Sequence, residues 1–344
     1  MPKVAVVDLN WNGKKLLEQF IDPVLKNTPS WAEIIVADND STDDSIPFLK
    51  ANFPEVKIIQ NKTNGGFAKG YNDAFKEIDA DYYVLLNSDV EVSPGWLEPV
   101  IELMESDKKI GACQPKICYF HEREKFEYAG AAGGFIDRWG YPFCRGRIFD
   151  TCEKDSRQYD KDCEIFWASG ACLFVRKEAW EEAKGLDEDF FAHMEEIDFC
   201  WRLKNLGWKV MFCGKSVVYH VGGGTLSKEN PKKTYFNFRN NLVTLCKNDY
   251  SKFFWLKLLI RIGLDDIAFL RFLFKGKFPH AWAVIRAHAS FLTQLGPTLQ
   301  KRRTYLKKFR SSTPSCIYKG NIVWEYFIKN KKSFSKLDQS KFTT

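Results

Sequence analysis

Residues 82–89 read Tyr82-Tyr83-Val84-Leu85-Leu86-Asn87-Ser88-Asp89: an unbroken apolar and aromatic run, then an amide, a hydroxyl and a carboxylate. A run without polar alternation suits a strand covered on both faces, as in parallel sheets flanked by helices. Residues 4–9, 33–37 and 56–60 have the same character, and the segments between them (14–26, 45–52 and 70–78) carry helical spacing. This alternation predicts an α/β chain with a parallel, doubly wound sheet. Ligands of such sheets bind beyond the carboxyl ends of the strands. Here those ends are polar or small: Asn10-Trp11-Asn12-Gly13, Asp38 to Asp43, Asn61 to Gly66, and Asn87-Ser88-Asp89. Four strand ends are therefore expected to line one crevice.

The chain has 344 residues and a net charge of +7, distributed unevenly. Residues 1–227 sum to −11 and residues 228–344 to +18. An acidic body with a basic appendage suggests a meeting with something anionic. Ten cysteines form no CxxC pair and no regular framework, which fits reduced thiols in a cytoplasmic protein. No signal-peptide pattern and no apolar stretch of spanning length is visible, so the catalytic body is expected in the cytosol.

Residues 110–165 look irregular, rich in glycine and aromatics, and suited to a loop-rich acceptor region. A strand is predicted over 167–175, helices over 177–183 and 194–205, and short strands over 210–213 and 217–219 leading into Gly222-Gly223-Gly224. Asp89, at the end of a buried strand, suits a hard divalent cation such as Mg²⁺ or Mn²⁺, although Asn, Ser and Asp also favour plain turns. Glu195, Glu196 and Asp198 open a helix, where acids often only complement the dipole. Yet crowding beside His193, Phe190, Phe191 and Trp201 also raises carboxyl pKa values toward those of a general base. His220 ends a short strand, a position compatible with a structural role or a ligand's. No dinucleotide fingerprint, P-loop, HExxH or GxSxG motif occurs.

In order and spacing these segments, from residue 3 to about 245, resemble the inverting family 2 glycosyltransferases of the GT-A fold, most of all their bacterial rhamnosyltransferase-like branch. The resemblance implies a GT-A type doubly wound mixed sheet. It implies a catalytic domain over 1–230, with a nucleotide-sugar half to about 110 and an acceptor half beyond, followed by a basic helical region over 231–344. It implies a nucleotide-diphosphate sugar donor and a glycan or lipid-linked acceptor. Asp38 would hydrogen-bond the base, with Asn10, Trp11 and Asn12 beside the nucleoside. Asn64, Gly66, Asn72, Asn87 and Ser88 would shape the nucleotide-sugar pocket. Asp89 and His220 would hold Mg²⁺ or Mn²⁺. Glu196 takes the place of the catalytic base, with Glu195 as the alternative and Asp198 as a structural acid; Arg239 would contact phosphate. Three positions depart from the family: Asn87 replaces the first aspartate of a DxD, Asp8 stands where an apolar residue is usual, and Asp40 replaces a small one.

Between residues 253 and 275, Lys257, Arg261, Asp265, Arg271 and Lys275 fall within one arc of a helical wheel. Such a helix suits peripheral attachment to an anionic membrane at its cytoplasmic face. A second amphipathic stretch over 281–295 and the cluster Lys301-Arg302-Arg303, Lys307-Lys308 and Arg310 extend that expectation. Packing on the catalytic body or a homodimer contact are the alternatives for these helices. Nucleic acid is not an expected partner, because no recognition module accompanies the basic residues. A silent glycan- or nucleotide-binding protein is the main competing function. A sugar nucleotidyltransferase fits less well, since residues 10–15 hold one glycine and no arginine.

Overall fold

The computed structural model describes residues 1–222, 230–308 and 314–344. Gly223 and Gly224 of the predicted glycine run, and Arg310 of the basic cluster, lie outside the described residues.

The first half follows the sequence pattern closely. In chain order it runs β1 (Val4–Asn10), α1 (Lys14–Asn27), β2 (Ala32–Asp38), α2 (Ser45–Asn52), β3 (Lys57–Gln60), α3 (Gly66–Phe75) and β4 (Tyr82–Leu86). Then come β5 (Val90–Val92), α4 (Glu98–Ser106) and β6 (Ile110–Tyr119). The middle adds β7 (Gly134–Asp137), β8 (Pro142–Cys144), β9 (Arg147–Ile148), β10 (Thr151–Cys152), β11 (Cys163–Ile165) and β12 (Cys172–Arg176). It closes with α5 (Lys177–Ala183), α6 (Glu195–Leu206) and β13 (Lys209–His220). The remainder is α7 (Pro231–Asn248), α8 (Phe254–Phe274), α9 (Phe278–Thr293), α10 (Leu295–Leu306), β14 (Ile317–Tyr318) and α11 (Ile322–Phe327).

The main sheet has the order β11-β13-β6-β12-β4-β1-β2-β3, with β5 on β13. Strands β4, β1, β2 and β3 pair in parallel, with β4 and β1 covered on both faces and β3 at the edge, and β12 joins them antiparallel. The sheet is thus mixed. Consecutive strands run outward from β1 to β3, and the next one, β4, returns to the other side of β1. That reversal is where α/β sheets hold ligands, and Asn10 and Asn87 flank it.

Several sequence expectations change, among them the strand predicted over 167–175, which begins only at Cys172. Helix α3 begins at Gly66, four residues before the predicted start, because Gly66 itself supplies the turn at φ +82°. Residues 110–119 form not a loop but a ten-residue strand at the centre of the sheet. Gly111 and Pro115 hid it. Gly111 lies where a Cβ would meet the Cβ atoms of Ala179 and Trp208 at 3.0 Å. Pro115 lies opposite an irregularity between Cys213 and Val217 that merges the two predicted short strands into β13. A proline is tolerated where the ladder is already interrupted.

A second, five-stranded sheet of order β10-β9-β8-β7-β14 takes its last strand from the C-terminal tail. Phe334 and Phe342 of that tail pack on Phe135 at ring distances of 4.9 and 5.3 Å. The residues after 314 thus complete the second sheet. The charged arc of α8 also differs from expectation. Arg261 and Asp265 are buried and paired at 3.0 Å, Tyr141 donates to Asp265 at 2.9 Å, and the Arg261 guanidinium lies 3.6 Å from the Tyr141 ring centre. Part of the arc faces the protein because each buried charge finds a partner there.

Candidate active site

One side of the crevice is assembled from the ends of β1, β2 and β3. Asn10 donates through Nδ2 to Asp38 at 2.9 Å and to the Ser41 hydroxyl at 3.2 Å, and the second Asp38 oxygen accepts from the Ser41 backbone N–H at 3.0 Å. Asn12, at φ 49°, accepts from the Thr42 N–H at 2.7 Å and donates its own N–H to Ser41 at 2.9 Å. These bonds lash the two loops together and leave the Trp11 ring 51% exposed above them. Asn39, which the sequence reading passed over, is buried and donates to Asn64 at 2.9 Å and to the Gly66 carbonyl. Gly66 lies against the Phe191 carbonyl, 2.6 Å from where a Cβ would stand, so no larger residue fits. Asn72 bonds the backbone of Leu186 in both directions, tying α3 to the loop that carries Phe191.

That loop delivers the acids. His193 and Met194 both have left-handed backbones (φ 68° and 75°), an unfavourable geometry for side chains of this size. Asn240 of α7 holds the turn by donating to the carbonyls of Ala192 and His193 at 2.9 and 2.7 Å. Arg239 donates to Asn240 at 2.6 Å and to the Asp189 carbonyl at 3.3 Å, so these two contacts support the loop. Glu195 is buried and Glu196 half-buried at the start of α6. Burial raises the Glu196 carboxyl to about 7, and burial together with the Glu196 charge pushes Glu195 well above the carboxylate range. Asp198 pairs with Arg202 at 2.9 Å and Lys247 at 2.7 Å, which makes it a structural anion.

The acid helix and the β4 end meet through Gly170 and Ala171. Asn87 donates its backbone N–H to the Ala171 carbonyl at 3.0 Å, and a Cβ on Gly170 would lie 3.8 Å from the Glu196 Cβ. Asn87 and Ser88 are half-buried at this junction. Beside them, His220 at the end of β13 approaches Asp89 (Nε2 to Oδ1, 3.0 Å) and Glu127 (Nδ1 to Oε2, 3.3 Å). Burial works against a charged ring here, but Glu127 and Asp89 outweigh it and raise His220 to about 10.

The pair Asp89 and His220 fits a divalent cation. A carboxylate oxygen and an imidazole nitrogen 3.0 Å apart are donor types that such a cation accepts. Among the described residues no three His, Cys, Asp or Glu side chains form such a group. Asp89 and His220 would then be its two protein ligands. Glu127, on the other ring nitrogen, had no signal in the sequence: it stands in a loop 93 positions before the histidine it faces.

Asp8 lies behind this cluster, buried, with Oδ1 unpartnered among the described residues. Burial and then the Asp89 charge raise its pKa to about 8. A raised acid contributes stability that is present below its unfolded value near 4 and lost as pH rises through about 8. Asp8→Asn should therefore stabilise the chelator-treated protein by ~2–4 kcal/mol near pH 7, with a gap that shrinks toward pH 4. Denaturant melts at several pH values measure it, and an equal gap at pH 4 and pH 8 would refute the buried-proton account.

The profile described as Glycosyl transferase family 2 matches residues 7–182. The chain belongs to glycosyl transferase family 2. It is 25% identical over 235 residues to the N-acetylglucosaminyl-diphospho-decaprenol L-rhamnosyltransferase of Mycobacterium tuberculosis, covering 63% of this chain and 75% of the relative. An uncharacterized glycosyltransferase of Haemophilus influenzae is 22% identical over 272 residues, covering 77% and 76% of the two chains. Among solved structures, GalNAc-T7 with UDP, GalNAc and Mn²⁺ matches with a TM-score of 0.56 at 18% identity, covering 71% of this chain and 48% of that one. The mannosyltransferase PcManGT of Pyrobaculum calidifontis, with GDP-Man and Mn²⁺, matches with a TM-score of 0.52 at 14% identity, covering 89% and 85%. These likenesses establish the fold of this glycosyltransferase.

Proposed function

We propose that this family 2 glycosyltransferase is inverting and metal-dependent. It moves a sugar from a nucleotide-diphosphate donor to a hydroxyl of a glycan or lipid-linked acceptor in cell-surface polysaccharide synthesis. The observation that carries the reading is the pairing of a carboxyl poised near 7, Glu196, with the Asp89–His220 pair across the Gly170–Ala171 junction.

Trp11 covers the nucleoside while Asp38, set by Asn10 and Ser41, reads the base and Asn12 fixes the loop. Asn64, Gly66, Asn72, Asn87 and Ser88 form the floor of the sugar pocket, and Arg239, held by Asn240 and the Asp189 carbonyl, is the proposed phosphate contact. Glu196 takes the proton from the acceptor hydroxyl as that oxygen bonds to the anomeric carbon from the face opposite the leaving group. The bond from that carbon to the diphosphate oxygen breaks in the same step, which inverts the centre. Asp89 and His220 would hold Mg²⁺ or Mn²⁺, which would supply Lewis-acid stabilisation of the charge on the departing nucleotide.

The acceptor is held at the cytoplasmic face of a membrane. Support comes from the +18 charge after residue 227 and from the mycobacterial relative, whose name places its transfer on a diphospho-decaprenol. Among the described residues no helix is long and apolar enough to cross a membrane, so the attachment proposed is peripheral.

The test is nucleotide release from a panel of UDP-, GDP- and dTDP-sugars with Mn²⁺ or Mg²⁺. One base class should be turned over, and only with metal. Binding of a nucleotide without release from any donor, with either metal and with acceptor extracts present, would mark a silent binding protein.

A further inference from the structure

We infer that the outward face of the α8–α9 hairpin is the surface that enters the interface of an anionic lipid bilayer; this rests on the proposed membrane-held acceptor. The structure turns the expected arrangement of α8 around. Its charges at Arg261 and Asp265 point into the protein, and its apolar stripe points out. Leu259, Ile267 and Phe274 recur on one side of α8, and Phe278, Trp282 and Leu292 on one side of α9, all exposed. Phe274 is 87% exposed and Trp282 60%. Helix α11 extends this surface: the Arg271 guanidinium of α8 lies 4.6 Å from the ring centre of Phe327, beside exposed Trp324 and Ile328. Large apolar patches on a soluble surface mark interaction sites.

The charge around the patch selects its occupant. Residues 251–308 hold twelve Lys or Arg and two acids, and one of those acids, Asp265, is buried in its ion pair. Lys252, Lys275, Lys277 and Arg286 are exposed on or beside the hairpin, as are Arg303 on α10 and Lys307 and Lys308 in the turn after it. Lys301 and Arg302 are used internally: Lys301 bonds Asp189 at 2.7 Å and Arg302 donates to the Cys246 carbonyl at 2.8 Å. Two copies meeting face to face would bring like charges together. An anionic surface complements both features, because aromatic side chains enter the headgroup region while the lysines remain at its charged plane.

The hairpin is joined rigidly to the chemistry. Thr234 and Tyr235 of α7 hydrogen-bond His280 and Ser290 of α9 at 2.8 and 2.9 Å, and Asn240 of the same α7 holds the turn before Glu196. A membrane-seated hairpin therefore fixes the height and tilt of the acid helix above the lipid. Such coupling suits an acceptor whose reactive hydroxyl stands a short distance from the bilayer.

The experiment is flotation of the full chain with phosphatidylglycerol-containing and with pure phosphatidylcholine vesicles, at low and high salt. The wild type is compared with a Phe274→Glu, Trp282→Glu double variant. The wild type should float with the anionic vesicles, less at high salt, and the variant at least tenfold less, while its thermal melt and metal-dependent donor turnover stay at wild-type levels. Equal flotation of the two proteins would overturn the assignment, since another surface would then hold the lipid. A wild type that ignores both vesicle types would overturn it too, and a dimer seen by light scattering only in the wild type would make the patch a subunit contact. Loss of donor turnover with every donor, with flotation retained, would defeat the transferase reading and leave the lipid face standing.

Discussion

Glu196→Gln should lower turnover by ~10²–10⁴ and leave donor affinity nearly unchanged, the range seen when a general base is removed. The substitution keeps the volume and hydrogen-bonding shape of the side chain but cannot take a proton. Glu195→Gln should have a smaller effect, for a reason the geometry supplies. Glu195 is buried more deeply, and burial with the neighbouring Glu196 charge raises its carboxyl well above its ordinary value. The more tightly a carboxyl keeps its proton, the less it can serve as a base near neutrality. Glu196 is raised by burial only to about 7 and is poised to exchange a proton near neutrality.

The same assignment fixes a pH profile. The base must be ionised, so kcat/KM should rise with pH and level off above about 7, with an acidic limb that belongs to the coupled Glu195–Glu196 pair. In Glu196→Gln that limb should vanish along with most of the rate. Stopped assays from pH 5 to 9 with saturating metal resolve it. Equal losses in the two variants, or an unshifted limb in Glu196→Gln, would move the base elsewhere.

Much of the fold of the first hundred residues was legible because its signals are local. Uninterrupted apolar runs gave four parallel strands whose observed ends fall within two residues of expectation. The polar residues just past them gather at one end of the sheet because parallel strands share a direction. Strand β6 escaped because it owes its place to tertiary packing around Gly111 and Pro115, residues that argue against a strand on local grounds. Asn39, Asn240 and Glu127 escaped for a related reason. Each serves by bonding to something distant in sequence: Asn64, the carbonyls of Ala192 and His193, or the ring of His220. The helical wheel of α8 correctly grouped its charges but could not say which face meets the protein. That depended on Tyr141 and Asn241, which surround the Arg261–Asp265 pair with partners.

His220→Ala should abolish metal-dependent turnover and also weaken the fold, and the second effect carries more information. The His220 ring lies between the buried carboxylates of Asp89 and Glu127. Burial alone would raise both acids, but His220 outweighs it and holds each below its usual value. Removing the ring leaves the two anions without that cation, although Arg147 still faces Glu127, and uncompensated buried charge costs ~3–5 kcal/mol. The sign with pH follows from the ring itself. Its folded pKa of about 10 exceeds the ordinary 6.5, so its contribution is complete below about 6.5 and lost as pH rises through 10. Denaturation of the chelated wild type should therefore show an alkaline decline that His220→Ala lacks. Added Mn²⁺ should stabilise the wild type, by supplying positive charge at Asp89, far more than it stabilises Asp89→Asn. Glu127→Ala should weaken Mn²⁺ binding ~10–100-fold, with Glu127→Gln intermediate, because a carboxylate on the far ring nitrogen orients a ligating histidine. An alkaline decline that survives in His220→Ala, with Mn²⁺ affinity unchanged in both Glu127 variants, would show that the ring serves neither carboxylate nor metal.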